Sequence, residues 1–482
     1  MSSNQNTEQA KDKFKQELTF FDLTNIIVGS IVGADIYIAS ALTAGMIGPF
    51  SIIIWIIAGI MATIIALVFA YCSYYVPKVG GPFAFVSYAF DDFFGFLTGW
   101  SMWIAEILAL PVFAIAFVQY LQYFFPLDSF QQILVKGLFI FALTFINIIG
   151  VKAAGKVNDF LTVIKLIPLI LLIFGGIFFF IFNPKTLVTN YIPLAPLGLN
   201  NFGTALVLIF WAYAGFELGT LPAGEVKDPK RTIPKSIATG IMIVTAFYLF
   251  TNFVIYGTIK WSALAGTSTP LVDVASVIFG TVGALIMAIG ALLSVSGSDE
   301  AGVLTTARLS YAMSVDGLFP GIFSKIHPGS GTPYMALLIH GIIAFTLSIF
   351  SGLYRLISFS VFNLAFSYLL TCFALIILKK RTEKDLYGQN ILPWLGIGVC
   401  LYLLYSTTMF DKVVGSGLIF FGILVYVFFS PKTDIRHLKE LFISEENIFV
   451  RTMERKERFL ANFIRLLHKA YRKVKKNPFR EI

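Results

Sequence analysis

The chain has 482 residues, of which 57% are hydrophobic and only 13% charged, with 50 phenylalanines and a mean hydropathy of +0.81. A soluble domain carries about 25% charged residues, so a soluble catalyst or binding module is excluded and a polytopic membrane protein is expected. The net charge of +9 collects at the predicted membrane edges and in one tail, so membrane topology accounts for it and nucleic acid is not an expected partner.

Residues 1–20 are polar and charged, which predicts a cytoplasmic N-terminal tail without a cleavable signal peptide. A helix that crosses a bilayer needs about 20 apolar residues. Windows of that kind fall near 22–45, 49–74, 93–123, 131–149, 158–182, 201–221, 235–258, 272–312, 334–351, 357–378, 391–408 and 414–430. The expected fold class is therefore an all-α membrane protein with twelve transmembrane helices. With the N-terminus in the cytoplasm, the inward connections hold thirteen Lys and Arg and the outward ones five. That asymmetry satisfies the positive-inside rule and puts both termini on the cytoplasmic side of a plasma membrane. The short connections include PKVGGP at 77–82 and FNPKT at 182–186, where Gly and Pro break the apolar pattern.

The tail, 431–482, adds fourteen Lys and Arg. Phe449, Met453, Phe459, Leu460, Phe463, Leu467, Tyr471 and Val474 recur at mostly helical spacing between them. A basic amphipathic helix lying on the anionic lipid of the inner leaflet is expected, with a solvated or partner-bound tail as the alternative. The three cysteines, Cys72, Cys372 and Cys400, fall in apolar runs without metal or disulfide spacing, and are expected as buried thiols.

Two windows carry interruptions. Residues 28–37 read VGSIVGADIY, so Gly29 and Gly33 precede Asp35 in the middle of window 1. Residues 210–225 read FWAYAGFELGTLPAGE, where Gly215 precedes Phe216 and Glu217 in window 6. A glycine costs a helix about 1 kcal/mol against alanine. Irregular backbone at membrane depth survives only inside protein or beside a wet cavity. Interrupted segments at matching places in two halves point to an inverted-repeat transporter. The repeats would be 21–182 (windows 1–5) and 200–380 (windows 6–10), a 5+5 arrangement with broken helices 1 and 6, and 391–430 would supply two extra helices. Freed amides at each break suit an anion and freed carbonyls a cation. Ordinary glycine-mediated helix contacts are the alternative.

A charge inside a membrane span costs at least about 2.5–3.5 kcal/mol on insertion scales and marks function by default. This chain places Asp35, Glu106, Lys165, Glu217, Asp299 and Glu300 within its windows. Asp299 and Glu300 are neighbours and point about 100° apart on a helix, so at most one faces window 1 squarely. A group of carboxylates around one space needs a cation or bound protons between them.

Several longer stretches carry a family resemblance. VGADIYIA at 32–39 resembles the interrupted-helix motif of the amino acid–polyamine–organocation superfamily of secondary transporters. AGFELGTLPAGEVKDPKRTIPKSI at 214–237 is similar to its Gly-Phe-Glu signature and the Glu-Val-Lys-Asn-Pro segment after it. TARLSYAMSVDGLFPGIFSKIHPGSGTPYMAL at 306–337 and PKVGGPFAFV at 77–86 resemble its eighth-helix exit and its turn between helices 2 and 3. The resemblance covers roughly 18–430 and implies a leucine-transporter-like fold with alternating access to a central site. It implies substrate contacts from Gly33, Ala34, Tyr37, Trp211, Ala214, Gly215, Phe216 and Glu217, with Trp211 and Phe216 closing over the ligand and Tyr213 nearby. It also aligns Glu106 beside the substrate. Lys165 matches a lysine that takes the place of a sodium ion in some proton-coupled members, which would make it the proton carrier, with Asp299 and Glu300 beside it. A permanent ion pair between Lys165 and one of these acids is the alternative. Asp35 departs from the family pattern, which usually has glycine there, and would stand where relatives hold a substrate carboxylate.

No nucleotide-binding loop, nucleophile triad, zinc spacing or dinucleotide fingerprint is present in the sequence. Neither an enzyme nor a cofactor or metal ion is expected. The expected function is secondary transport of an amino acid or related amine, leaning to cationic substrates, in symport with protons. The alternatives are a potassium-like cation carrier, an amine exchanger and a nutrient receptor that does not transport.

Overall fold

The computed structural model describes residues 18–429 apart from 79, 150, 222 and 383–389, with the side chains of 151–163, 224 and 382 also left aside. The expected amphipathic tail at 431–482 and residues 1–17 lie outside the described residues.

The described chain is helical. Its helices are α1 (Phe20–Ile31), α2 (Ala34–Ala44), α3 (Ser51–Tyr75), α4 (Pro82–Ala89), α5 (Asp92–Leu121), α6 (Ser129–Ile149), α7 (Val151–Phe182), α8 (Pro184–Tyr191), α9 (Phe202–Trp211), α10 (Pro229–Thr258), α11 (Trp261–Leu264), α12 (Pro270–Val315), α13 (Tyr334–Phe350), α14 (Leu353–Thr382), α15 (Leu392–Ser406) and α16 (Met409–Phe429). Among the described residues, ten helical segments are long and apolar enough to cross a membrane, α1 with α2 counting as one. The shorter apolar helices α13 and α15, of 17 and 15 residues, coincide with predicted windows nine and eleven.

Helix boundaries follow local chemistry. Thr19 and Asp22 form a capping box at the start of α1, satisfying amides that have no partner within the helix. Helices α4, α8, α10 and α12 begin with Pro82, Pro184, Pro229 and Pro270, where a fixed φ and a missing N–H cost nothing. The stretches 77–82 and 182–186, expected simply as loops, therefore each lead directly into a short helix that the sequence reading missed. Helix α12 runs 46 residues but bends at Gly280, whose φ of 67° is left-handed.

Burial separates centre from periphery. Within their apolar windows, 83% of α1–α2 is buried inside the protein but only 17% of α16. Helix α1 packs against α7, α10 and α12, and α2 against α5, α9 and α12. Helices α3 and α10 pack on each other, as do α5 and α14, while α15 and α16 lie outside them. The innermost element is thus the interrupted one. Cys72, Cys372 and Cys400 are buried free thiols.

Candidate functional site

The first window does break. Helix α1 stops at Ile31, Val32 is extended and Gly33 is non-helical, and α2 starts at Ala34. The break is crowded, since a Cβ on Gly33 would lie 2.8 Å from Ser298 Cβ and 2.9 Å from Phe113 Cε1. Only glycine lets α5 and α12 approach this closely. The Asp35 carboxylate turns back over the break. Its Oδ1 accepts the Gly33 N–H at 2.9 Å and its Oδ2 accepts the Tyr248 hydroxyl from α10. Asp35 is 4% exposed, so it faces protein and not lipid.

Carbonyls freed by the break are held from other helices. Lys165 Nζ, from α7, donates to Gly29 O at 2.5 Å and to Ser298 Oγ at 2.9 Å. The Ser298 hydroxyl lies 2.8 Å from Val32 O and 3.0 Å from Gly29 O, so its one proton serves either. The Tyr248 hydroxyl is 3.0 Å from Ile31 O as well. Lys165 is fully buried and forms no ion pair; among the described residues the ion pairs are Asp228–Arg231 and Glu225–Arg308.

The sixth window breaks too. Helix α9 ends at Trp211, a turn follows, and a 3-10 segment covers Phe216–Thr220. Gly215 has a φ of 116°, and a Cβ there would sit 3.1 Å from the Ser30 carbonyl group. The two breaks therefore touch backbone to backbone. Glu217 repeats the geometry of Asp35. Its Oε2 accepts the Gly215 N–H at 3.0 Å and its Oε1 the Tyr368 hydroxyl, from α14, at 2.8 Å. Here the freed carbonyls of Ile209, Phe210 and Trp211 are taken by the amides of Ala212, Tyr213 and Ala214 at 3.0–3.1 Å.

Glu106 on α5 is partly buried, and no hydrogen bond to its carboxylate is found among the described residues. Asp299 and Glu300 are both 1% exposed, and each has a carboxylate oxygen, Oδ1 and Oε1 respectively, without a hydrogen-bond partner among the described residues. Neither pairs with Lys165. The residue of α12 that reaches Lys165 is their neighbour Ser298.

Trp211 packs on Phe113 with ring centres 6.0 Å apart. Phe216 sits between Phe69 and Tyr368, 5.6 Å from each, and is fully buried. Tyr213 donates to Trp55 O at 3.0 Å. The buried Tyr37 hydroxyl has no hydrogen-bond partner among the described residues, and its ring meets Tyr120 edge-on. Ala34 begins α2, and Ala214 lies in the turn before Gly215.

Three residues central to this geometry escaped the sequence reading: Ser298, Tyr248 and Tyr368. Ser298 precedes the two acids, and intramembrane acids drew all the attention. The two tyrosines sit in apolar runs of a chain with 20 tyrosines, and nothing local distinguishes them.

The comparisons with known proteins agree with this architecture. The sequence model described as "Amino acid permease" matches residues 18–439. The branched-chain amino acid permease BcaP of Bacillus subtilis is 27% identical over 446 residues, covering 87% of this chain and 94% of that protein. The serine/threonine exchanger SteT of the same organism is 28% identical over 417 residues, covering 83% and 92%. The crystal structure of MhsT in complex with L-phenylalanine matches with a TM-score of 0.63 at 14% identity, covering 82% of this chain and all of that one, a likeness of fold. With two interrupted helices at its centre and a family match over nearly the whole described chain, this protein belongs to the amino acid permease family of the amino acid–polyamine–organocation superfamily, whose members are transporters and not enzymes.

Proposed function

We propose that the protein is a secondary active transporter of amino acids or related amines, leaning to cationic substrates, that works by alternating access in symport with protons. In this reading all twelve apolar helices cross the plasma membrane. Segments 21–182 and 200–380 form the inverted repeats, 391–430 is appended, and both termini are cytoplasmic. Substrate lies between the breaks, against Gly33, Ala34, Asp35, Tyr37, Glu106, Trp211, Ala214, Gly215, Phe216 and Glu217.

The observation that carries the coupling is the position of Lys165. Its ammonium joins the Gly29 carbonyl of α1 to Ser298 of α12, and it forms no ion pair among the described residues. A charged ammonium has three protons to donate and no acceptor capacity. On losing a proton it gains a lone pair, and its charge-assisted hold on the carbonyl weakens to that of a neutral bond, about half as strong. The bond from α7 to α1 then loosens, and the two helices are free to part. Asp299 and Glu300, buried beside Ser298, are the groups to exchange that proton. The family match supports transport, and Asp35, Glu106 and Glu217 support the cationic preference.

The test is uptake into liposomes holding the purified protein, across a panel of amino acids, amines and potassium, with and without an inward proton gradient. The gradient should raise accumulation in the wild type and have no effect in Lys165→Ala, which should retain exchange. Unchanged gradient dependence in that variant sinks the coupling assignment. Obligatory exchange in the wild type would favour the antiport reading, which the likeness to a serine/threonine exchanger also supports.

A further inference from the structure

We infer that the substrate is an amine without a carboxylate beside its nitrogen, because Asp35, which stands where the family usually has glycine, puts the protein's own carboxylate at the N-terminus of α2, where a substrate carboxylate would be received. This rests on the transport reading above and narrows it. A half-helix N-terminus at a membrane break is a receptor for an anionic substrate group, through its free amides and its positive dipole end. Here the Gly33 N–H at the first break is taken by Asp35 and the Gly215 N–H at the second by Glu217, at 2.9 and 3.0 Å. Each acid is two residues beyond its glycine and is also held by a tyrosine hydroxyl from another helix. Both side chains are held by bonds at two ends, Asp35 at the N-terminus of α2 and Glu217 in the short turn of the second break. When ionised, Asp35 also offsets the dipole that would draw in a further anion.

What remains at the site favours a cation. A carboxylate offers about four acceptor sites, and the hydrogen bonds found on Asp35 and Glu217 use two of them in each. Neither acid has an ion-pair partner among the described residues. Glu106, partly buried on α5, adds a third carboxylate without a hydrogen-bond donor among the described residues. Against these three stands Lys165, which is committed to Gly29 and Ser298. An alkylammonium brings three donors and a positive charge to such a set. An amino acid brings the same ammonium together with a carboxylate that finds the nearest break amides taken and meets like charge.

The experiment uses full-length protein in liposomes and matched pairs that differ only by the carboxylate: arginine and agmatine, lysine and cadaverine, phenylalanine and phenethylamine. In the wild type at least one amine should be taken up, and should compete about tenfold or more better than its parent amino acid, the scale expected when a charged group is left without partners. Asp35→Gly, which frees the Gly33 amide and the Tyr248 hydroxyl, should reverse the ranking. Asp35→Asn, which still accepts from Gly33 but carries no charge, should lose the amine without gaining the amino acid. Parent amino acids that compete as well as their amines in the wild type overturn the inference and leave the transport reading intact. No uptake of either member of any pair overturns both. The wild-type ranking needs no variant, so it decides the matter even where a substitution prevents folding.

Discussion

The two breaks share a plan and differ in how it is completed. Each has a glycine whose N–H is bound by an acid two residues on, and each acid is tied to a distant tyrosine. The difference lies in the carbonyls. At the second break the chain tightens into 3-10 turns and satisfies them itself. At the first break the backbone is extended, and the carbonyls depend on Lys165, Ser298 and Tyr248 from three other helices. A break closed by its own backbone keeps its shape when neighbours move. One closed by a titratable side chain changes when that side chain changes charge. On the proposed coupling through Lys165, the first break would be the movable part and the second its fixed counterpart.

The largest expected effect tests the contact between them. Gly215→Ala puts a methyl against the Ser30 backbone at a φ of 116°, where strain alone costs about 1–3 kcal/mol. It should abolish stable, monodisperse protein in detergent. Gly33→Ala meets the Ser298 and Phe113 side chains, which have some freedom to shift, so its loss of melting temperature should be smaller. Equal effects would mean that backbone contact does not distinguish the two sites.

Next is Lys165→Ala, which leaves the buried Gly29 carbonyl with Ser298 alone. An unsatisfied buried group costs about 1–3 kcal/mol, to be read as a fall in thermal stability alongside the lost proton dependence. A double-mutant cycle sharpens the point. Lys165→Ala and Ser298→Ala share partners and should couple by about 0.5–3 kcal/mol, whereas Lys165→Ala and Tyr368→Phe should add to within about 0.5 kcal/mol. Strong coupling in the second cycle would show that the breaks act as one unit.

Tyr248→Phe and Tyr368→Phe each remove a hydroxyl bonded to a buried carboxylate, a bond of about 1.5–3 kcal/mol. The Tyr248 change should be the larger in transport assays, since its hydroxyl also lies within bonding distance of Ile31 O. The smallest effect is expected for Arg308→Ala. Its 3.7 Å pair with Glu225 is partly exposed, and such pairs are worth about 1 kcal/mol or less. Uptake should persist, and its loss would place a gate at that end of α12.

Much of the geometry at the two breaks is legible in the sequence. The paired glycine–acid interruptions stand out because a glycine and a charge are both unfavourable at membrane depth, and Asp35, Glu217 and Lys165 were readable for that reason. The partners were not. Ser298, Tyr248 and Tyr368 cost little wherever they fall in an apolar helix, so their presence carries no signal until distant helices bring them to the breaks. The same limit applies to Glu106. Its charge is visible, but which break it serves depends on how α5 packs.

By itself the sequence determined that the chain lives in a membrane, that it crosses many times, and where helical winding must fail, since hydropathy, length and glycine placement act locally. Only the tertiary structure decided how each failure is repaired. Hydrogen bonds at the breaks, such as that from Ser298 to Gly29 across 269 positions, depend on which helices pack together, and apolar faces of similar composition do not encode that choice residue by residue.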